Sequence, residues 1–198
     1  MDSLSQEQRR AVCGREVVVG VSGGIAAYKT AEVVSGLVRA GAGVTVVMTE
    51  AAKRFVGPLT FQTLSGRPVY DSLWAATEEP RVEHVALADR ADVVLVAPAT
   101  ADVIGKLAAG IADDLLSTLL LAVDVPVLLA PAMNARMWRH PAVVANVATL
   151  RARGVRLVGP AEGRLACGAE GPGRMAEPAE ILAAVAEVLA SAETPEGP

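Results

Sequence analysis

Glu16 to Val21, Glu-Val-Val-Val-Gly-Val, is a continuous run rich in β-branched residues, and it leads through Ser22-Gly23-Gly24 into a segment with helical spacing. A short unbroken apolar run of this kind reads as a strand buried on both faces, which happens in a parallel sheet covered by helices. The pattern then repeats. The spacing predicts a helix over Ile25 to Ala40, ended by Gly41, and further strands at Val44 to Thr49, Asp92 to Ala97, Val125 to Ala130 and Arg156 to Val158. Helices are expected at Thr100 to Ala109, Asp114 to Ala122, Pro141 to Arg153 and Pro178 to about Ala190. Strands alternating with helices define an α/β, doubly wound parallel sheet, a Rossmann-like or flavodoxin-like three-layer sandwich.

A chain of 198 residues, 52% of them hydrophobic, can bury a full core, and no linker divides it. One domain over residues 1–192 is expected, with 193–198 as a disordered tail. The net charge of -4 and the lack of a long basic run argue against nucleic acid as a partner. Membrane association is not expected either: Asp or Pro interrupts each long apolar run before the roughly 20 residues a span needs. The polar start, Met1 to Arg10, is unlike a secretory signal. Two cysteines, Cys13 and Cys167, are too few for a disulfide framework or a cysteine-rich metal site, which fits a reducing cytoplasm. No metal is expected, since neither histidine has companion ligands at suitable spacing. A Ser-His-Asp hydrolase is unsupported, because no Gly-x-Ser-x-Gly elbow occurs.

Ligand chemistry in such a sheet collects at the carboxyl ends of the strands. The first end, Ser22-Gly23-Gly24-Ile25-Ala26, is a tight turn or a close backbone approach to a ligand, with a helix N-terminus behind it. At the second, Thr49 caps a helix or holds a ligand hydroxyl or phosphate. At the third, Pro98 is expected to stop the strand, leaving Thr100 or Asp102 beside the free amides of a helix start. The fourth end carries Pro131-Ala132-Met133-Asn134-Ala135-Arg136-Met137-Trp138. Asn134 offers an uncharged amide to a carboxylate or caps the helix that follows, and Met137 with Trp138 reads as that helix's core face. Arg164 to Glu177 holds Cys167 in a loop with three glycines and a proline, where a thiol gains little from burial. His84 lies near an apolar face shortly before the third strand, and His140 reads as a turn residue before Pro141.

The Asn134 octet and the Cys167 loop resemble the flavin-containing cysteine decarboxylases, most closely the phosphopantothenoylcysteine decarboxylases, and the resemblance runs from about Glu16 to Ala190. It implies FMN as cofactor, held by Ser22, Gly23, Gly24, Ile25, Ala26, Thr49, Thr100, Ala101, Asp102, Val103, Ser117 and Ala132. It implies His84 as base, Asn134 on the substrate carboxylate and Cys167 as proton donor, with Met137, Ala166, Arg174 and Met175 also against substrate. The implied reaction removes carbon dioxide from a C-terminal cysteine after oxidation to a thioaldehyde, giving an ene-thiol. Reduction of that ene-thiol turns phosphopantothenoylcysteine into phosphopantetheine in coenzyme A biosynthesis. Its release from a ribosomal peptide gives an aminoenethiol, and a non-catalytic flavoprotein subunit is a third outcome. Relatives of the first kind are often fused to a synthetase domain, whereas this sequence stops soon after Ala190, which leaves room for the peptide reading. The partner is thus a small molecule or peptide ending in cysteine, and the family builds homotrimers or homododecamers with flavin between subunits. Asp102-Val103 departs from the family's usual Asn-Thr: a carboxylate is unfavourable near a phosphate, and the valine lacks a hydroxyl donor. Asp102 is expected to turn away as an N-cap.

Overall fold

The computed structural model describes residues 4–74, 83–164 and 170–192. Six parallel strands form the central sheet: β1 (Glu16–Val21), β2 (Gly43–Met48), β3 (Val69–Tyr70), β4 (Val93–Ala99), β5 (Val127–Pro131) and β6 (Arg156–Leu157). Their spatial order is β3-β2-β1-β4-β5-β6. The chain builds outward from β1 through β2 and β3, then crosses over to lay β4 on the other side of β1. That reversal opens a crevice at the carboxyl ends of β1 and β4.

Alternation along each strand divides the core in two. Val17, Val19 and Val21 of β1, with Val93, Leu95 and Ala97 of β4, face α1 (Gln6–Val12), α2 (Ala27–Arg39), α3 (Pro58–Ser65) and α9 (Pro178–Ala192). Val18, Val94 and Val96 face the other layer, α4 (Glu83–Arg90), α5 (Ala101–Ala109), α6 (Leu115–Ala122) and α8 (Pro141–Ala152). A short α7 (Ala135–Trp138) follows β5. Two further strands, β7 (Ala161–Arg164) and β8 (Glu170–Arg174), pair antiparallel in a separate hairpin. Among the described residues no helix is long and apolar enough to cross a membrane.

Pro98 does not stop its strand. β4 runs on to Ala99, and its register with β5 shifts between Val96 and Ala99, so the proline sits where the ladder demands no N–H. Side chains take up the carbonyls of this stretch: Thr30 Oγ1 donates to Ala97 O and Ser22 Oγ to Pro98 O, each at 2.7 Å. The expected tail, 193–198, lies outside the described residues.

At the opposite end of the sheet, Arg67 Nη2 donates to Glu16 Oε1 at 2.9 Å, while Arg67 Nη1 donates to Thr45 Oγ1 at 3.2 Å. The Arg67 hydrogen bond holds the Glu16 carboxyl below its ordinary value of 4.5. Because the folded value is depressed, this stabilisation is present above the unfolded value and is lost as pH falls through the folded one. Arg67→Met is expected to cost about 1 kcal/mol near neutral pH, a figure already discounted for solvent screening of a pair about one-third exposed. Denaturant unfolding at neutral and at acid pH checks it: the gap between the two proteins should close in acid, and a gap independent of pH would refute the pairing argument.

Candidate functional site

The crevice at the strand ends is a cavity of about 1040 Å³. Four loops build it: Ser22–Lys29 after β1, Thr49–Ala51 after β2, Thr100–Lys106 after β4 and Ala132–Met137 after β5, closed along one side by Gly173–Met175 of the hairpin.

Ser22 stitches β1 to β4 across the switch point. Its buried Oγ donates to Pro98 O, accepts the Thr100 N–H at 3.2 Å and lies 3.1 Å from Thr100 Oγ1. Its hydroxyl therefore shapes the crevice that Ser22, Gly23 and Gly24 line. Gly23 is required by close approach: a Cβ there would stand 2.3 Å from Ala51 Cβ and 3.0 Å from the Ala51 carbonyl carbon. Thr49 is buried, and its Oγ1 accepts the Ala52 N–H at 3.2 Å, where the short turn at Ala52–Arg54 begins.

Thr100 is the N-cap of α5, accepting weakly from Val103 N at 3.5 Å. The expectation that Asp102 would be that cap is corrected. Asp102 lies in the first turn, on the cavity wall, and pairs with Lys106 one turn later, Nζ to Oδ2 at 3.3 Å. Lys106 also reaches Asp113 at 3.0 Å and Asp114 at 3.6 Å. Burial pulls the Lys106 ammonium down, but the hydrogen bonds of Asp113 and Asp102 outweigh it and leave the group above its usual value. The amides of Ala101 and Asp102, at the helix start, have no intrahelical acceptor and stand at the cavity.

Asn134 is the N-cap of α7: Oδ1 accepts the Arg136 N–H at 2.8 Å. The hairpin is tied to this loop by Met133 N–H donating to Gly173 O at 2.9 Å. Position 173 cannot carry a side chain, since a Cβ would fall 2.3 Å from Met133 O. On the same wall Lys29 Nζ contacts both Glu177 oxygens, at 3.1 and 3.0 Å, and Arg174 Nη2 reaches the same carboxylate. Arg174 Nε is buried with no hydrogen-bond partner among the described residues.

Of the residues expected to meet cofactor or substrate, Ser22, Gly23, Gly24, Ile25, Ala26, Thr49, Thr100, Ala101, Asp102, Ala132, Asn134, Met137, Arg174 and Met175 line this one cavity. Met137 is not core, as its spacing predicts, but 48% exposed, while Trp138 packs partly against the second core layer. Val103 and Ser117 are placed elsewhere. The Val103 side chain is buried in the second core layer, and Ser117 is consumed by a capping box with Asp114, its N–H donating to Asp114 Oδ1 at 2.7 Å. His84 sits at the start of α4, half-buried and outside the lining of this cavity, with Nδ1 lacking a hydrogen-bond partner among the described residues. Ala166 and Cys167 lie outside the described residues. Lys29, Lys106 and Tyr28 also line the cavity and were not expected. For Lys106 a signal existed, its i,i+4 spacing from Asp102.

A ligand cavity at the switch point of an open parallel sheet, entered by a glycine turn and a helix N-terminus, defines a flavodoxin-like small-molecule-binding protein. The chain belongs to the flavoprotein family, whose model matches residues 5–190. The coenzyme A biosynthesis bifunctional protein CoaBC of Vibrio parahaemolyticus is 53% identical over 171 residues, which is 86% of this chain and 43% of the relative. CoaBC of Bacillus subtilis is 53% identical over 168 residues, 85% of this chain and 41% of its own. The chain thus spans less than half the length of these curated relatives. Among solved structures, the FMN-dependent cysteine decarboxylase SpaF superposes with a TM-score of 0.79 at 31% identity, over 92% of this chain and 99% of SpaF. A cysteine-to-serine mutant of a PPC decarboxylase, complexed with pantothenoylaminoethenethiol, gives 0.77 at 32% identity over 87% and 96%.

Proposed function

We propose that this protein is an FMN-dependent cysteine decarboxylase that converts phosphopantothenoylcysteine to phosphopantetheine. The observation that carries the reading is the convergence of four separate strand-end loops and the hairpin on one cavity. The identity to the CoaBC proteins supports the substrate. The residues present fit FMN. About 1040 Å³ sits at the upper end of the roughly 300–1000 Å³ of small-ligand sites, room for a flavin with substrate beside it. Gly24 leaves its approach open, the nearest atom to a Cβ there being Thr100 Cγ2 at 3.6 Å. The Ala101 and Asp102 amides would hold the phosphate, and the Ser22–Ala26 turn would lie along the flavin.

Bound FMN would take two electrons from the cysteine side chain, which lets the electrons left by carbon dioxide settle in an ene-thiolate, and would then return the same two electrons to the ene-thiol. The chain's own contribution is placement and proton handling. Asn134 would hold the carboxylate by its amide N–H donors, its Oδ1 being used in the cap. His84 would take a proton and Cys167 return one to the ene-thiol. Because His84 lies outside its own chain's cavity, it would act on the site of a second copy, in a homotrimer or an assembly of trimers with flavin between subunits. Exposed Ile25 and Tyr28 on the cavity rim support such an interface.

Purified protein is expected to be yellow, to run as a trimer or a multiple of one, and to convert phosphopantothenoylcysteine with loss of carbon dioxide alone. A peptide ending in cysteine that instead loses carbon dioxide and two hydrogens would establish the oxidative peptide reaction, which the SpaF likeness keeps as the second reading. Cys167→Ser should turn the saturated product into one lighter by two hydrogens, since a serine hydroxyl is a far poorer acid than a thiol. Mass spectrometry of both products checks this, and a colourless protein that takes up no FMN would refute the reading.

A further inference from the structure

Asp102 poses a physical problem at the entrance to α5. Its carboxylate suits the helix, being in the first turn, yet it stands on the same cavity wall as the amides that would receive a phosphate. Two negative groups competing for one helix start repel each other. The structure answers with a cation. Lys106 Nζ lies 3.3 Å from Asp102 and bridges from there to Asp113 and Asp114 on the adjoining loop, with a side chain only 20% exposed. Asp113 and Asp114 have a second source of compensation, since Asp114 caps α6 and the Ser117 hydroxyl contacts Asp113 at 3.3 Å. Asp102, 66% exposed, relies on Lys106 and its own helix.

We infer that Lys106 is a positioning residue for the cofactor's phosphate end: it neutralises Asp102 and clamps the start of α5 to the Asp113–Asp114 turn, without itself binding the phosphate. This rests on the reading of the cavity as an FMN site. It assigns a role to the departure at Asp102, because the carboxylate and Lys106 form a unit whose charge is balanced before the phosphate arrives. Lys106 is therefore needed only while Asp102 is acidic.

Binding of FMN and of riboflavin, which lacks the phosphate, to the full chain freed of flavin separates this from simpler roles. Lys106→Met is expected to weaken FMN about tenfold, because the released Asp102 carboxylate can then turn to the amides at its helix start and repel the phosphate there, and to leave riboflavin unchanged. Asp102→Asn alone should change FMN affinity by less than about twofold, because Lys106 already holds the exposed carboxylate back from the amides. Added to Lys106→Met, the same change should bring FMN affinity back to within about twofold of the unaltered protein, and only a coupled pair behaves so. Lys106→Arg should bind as the unaltered protein does, and Lys106→Gln serves where the methionine variant folds poorly. Equal loss for both flavins would show a structural clamp only. Loss of FMN that Asp102→Asn does not restore would make Lys106 a direct phosphate ligand. Either result overturns the inference, as does unchanged binding. Failure of the unaltered protein to bind FMN would instead refute the cofactor reading, a distinguishable outcome.

Discussion

Asn134→Asp is expected to fold normally, bind flavin and lose decarboxylation by about a thousandfold or more. Aspartate caps a helix as well as asparagine does, and its oxygen can accept the Arg136 N–H that Asn134 Oδ1 accepts at 2.8 Å. What changes is the remainder of the side chain. An amide carries two N–H donors, whereas an ionised carboxylate carries none and adds a charge facing the substrate's own. At a separation of about 4 Å and an effective dielectric near 20, that repulsion is about 4 kcal/mol, or close to a thousandfold. Steady-state turnover, with thermal unfolding and the flavin spectrum as controls, checks it. A variant within about tenfold of normal turnover would leave Asn134 as a cap and nothing more.

The same residue shows how far the sequence could be read. A strand end followed by Asn134 admits a cap or a carboxylate ligand, and the structure makes the cap explicit. The sheet was legible because its strands are continuous apolar runs: β1 occupies the predicted Glu16–Val21 without a residue's difference. Elements with weaker periodicity were not. α3 and the two-residue β3 lie in a stretch of mixed polarity, and the glycines of β8 look like loop until they pair with β7. Val103 and Ser117 fall where a motif resemblance puts cofactor residues, but helix geometry turns one into the core and spends the other on a capping box. Motif spacing carries no information about which side of a helix start faces the crevice. The Lys29–Glu177 contact joins residues 148 positions apart, a distance at which no local pattern operates.

Gly23→Ala is expected to cost FMN binding heavily while sparing most of the fold. The added methyl would lie 2.3 Å from Ala51 Cβ, 3.0 Å from the Ala51 carbonyl carbon and 3.2 Å from its Cα. None of these is the far end of a flexible side chain, so the turns after β1 and β2 must move apart. Both turns line the cavity, and the position of the first is fixed from below by the Ser22 hydrogen bonds to Pro98 of β4 and to Thr100. Strain of this kind costs about 1–3 kcal/mol, or about 5- to 150-fold in affinity if it falls on the bound state. Ala51→Gly in the same chain removes the shortest contact and leaves the two backbone ones, so it should recover part of the loss. Flavin titration of the single and double variants gives the answer. Affinity unchanged by Gly23→Ala would mean that the two turns separate freely. Their close packing would then not be what shapes the flavin site, and the glycine would mark a tight turn alone.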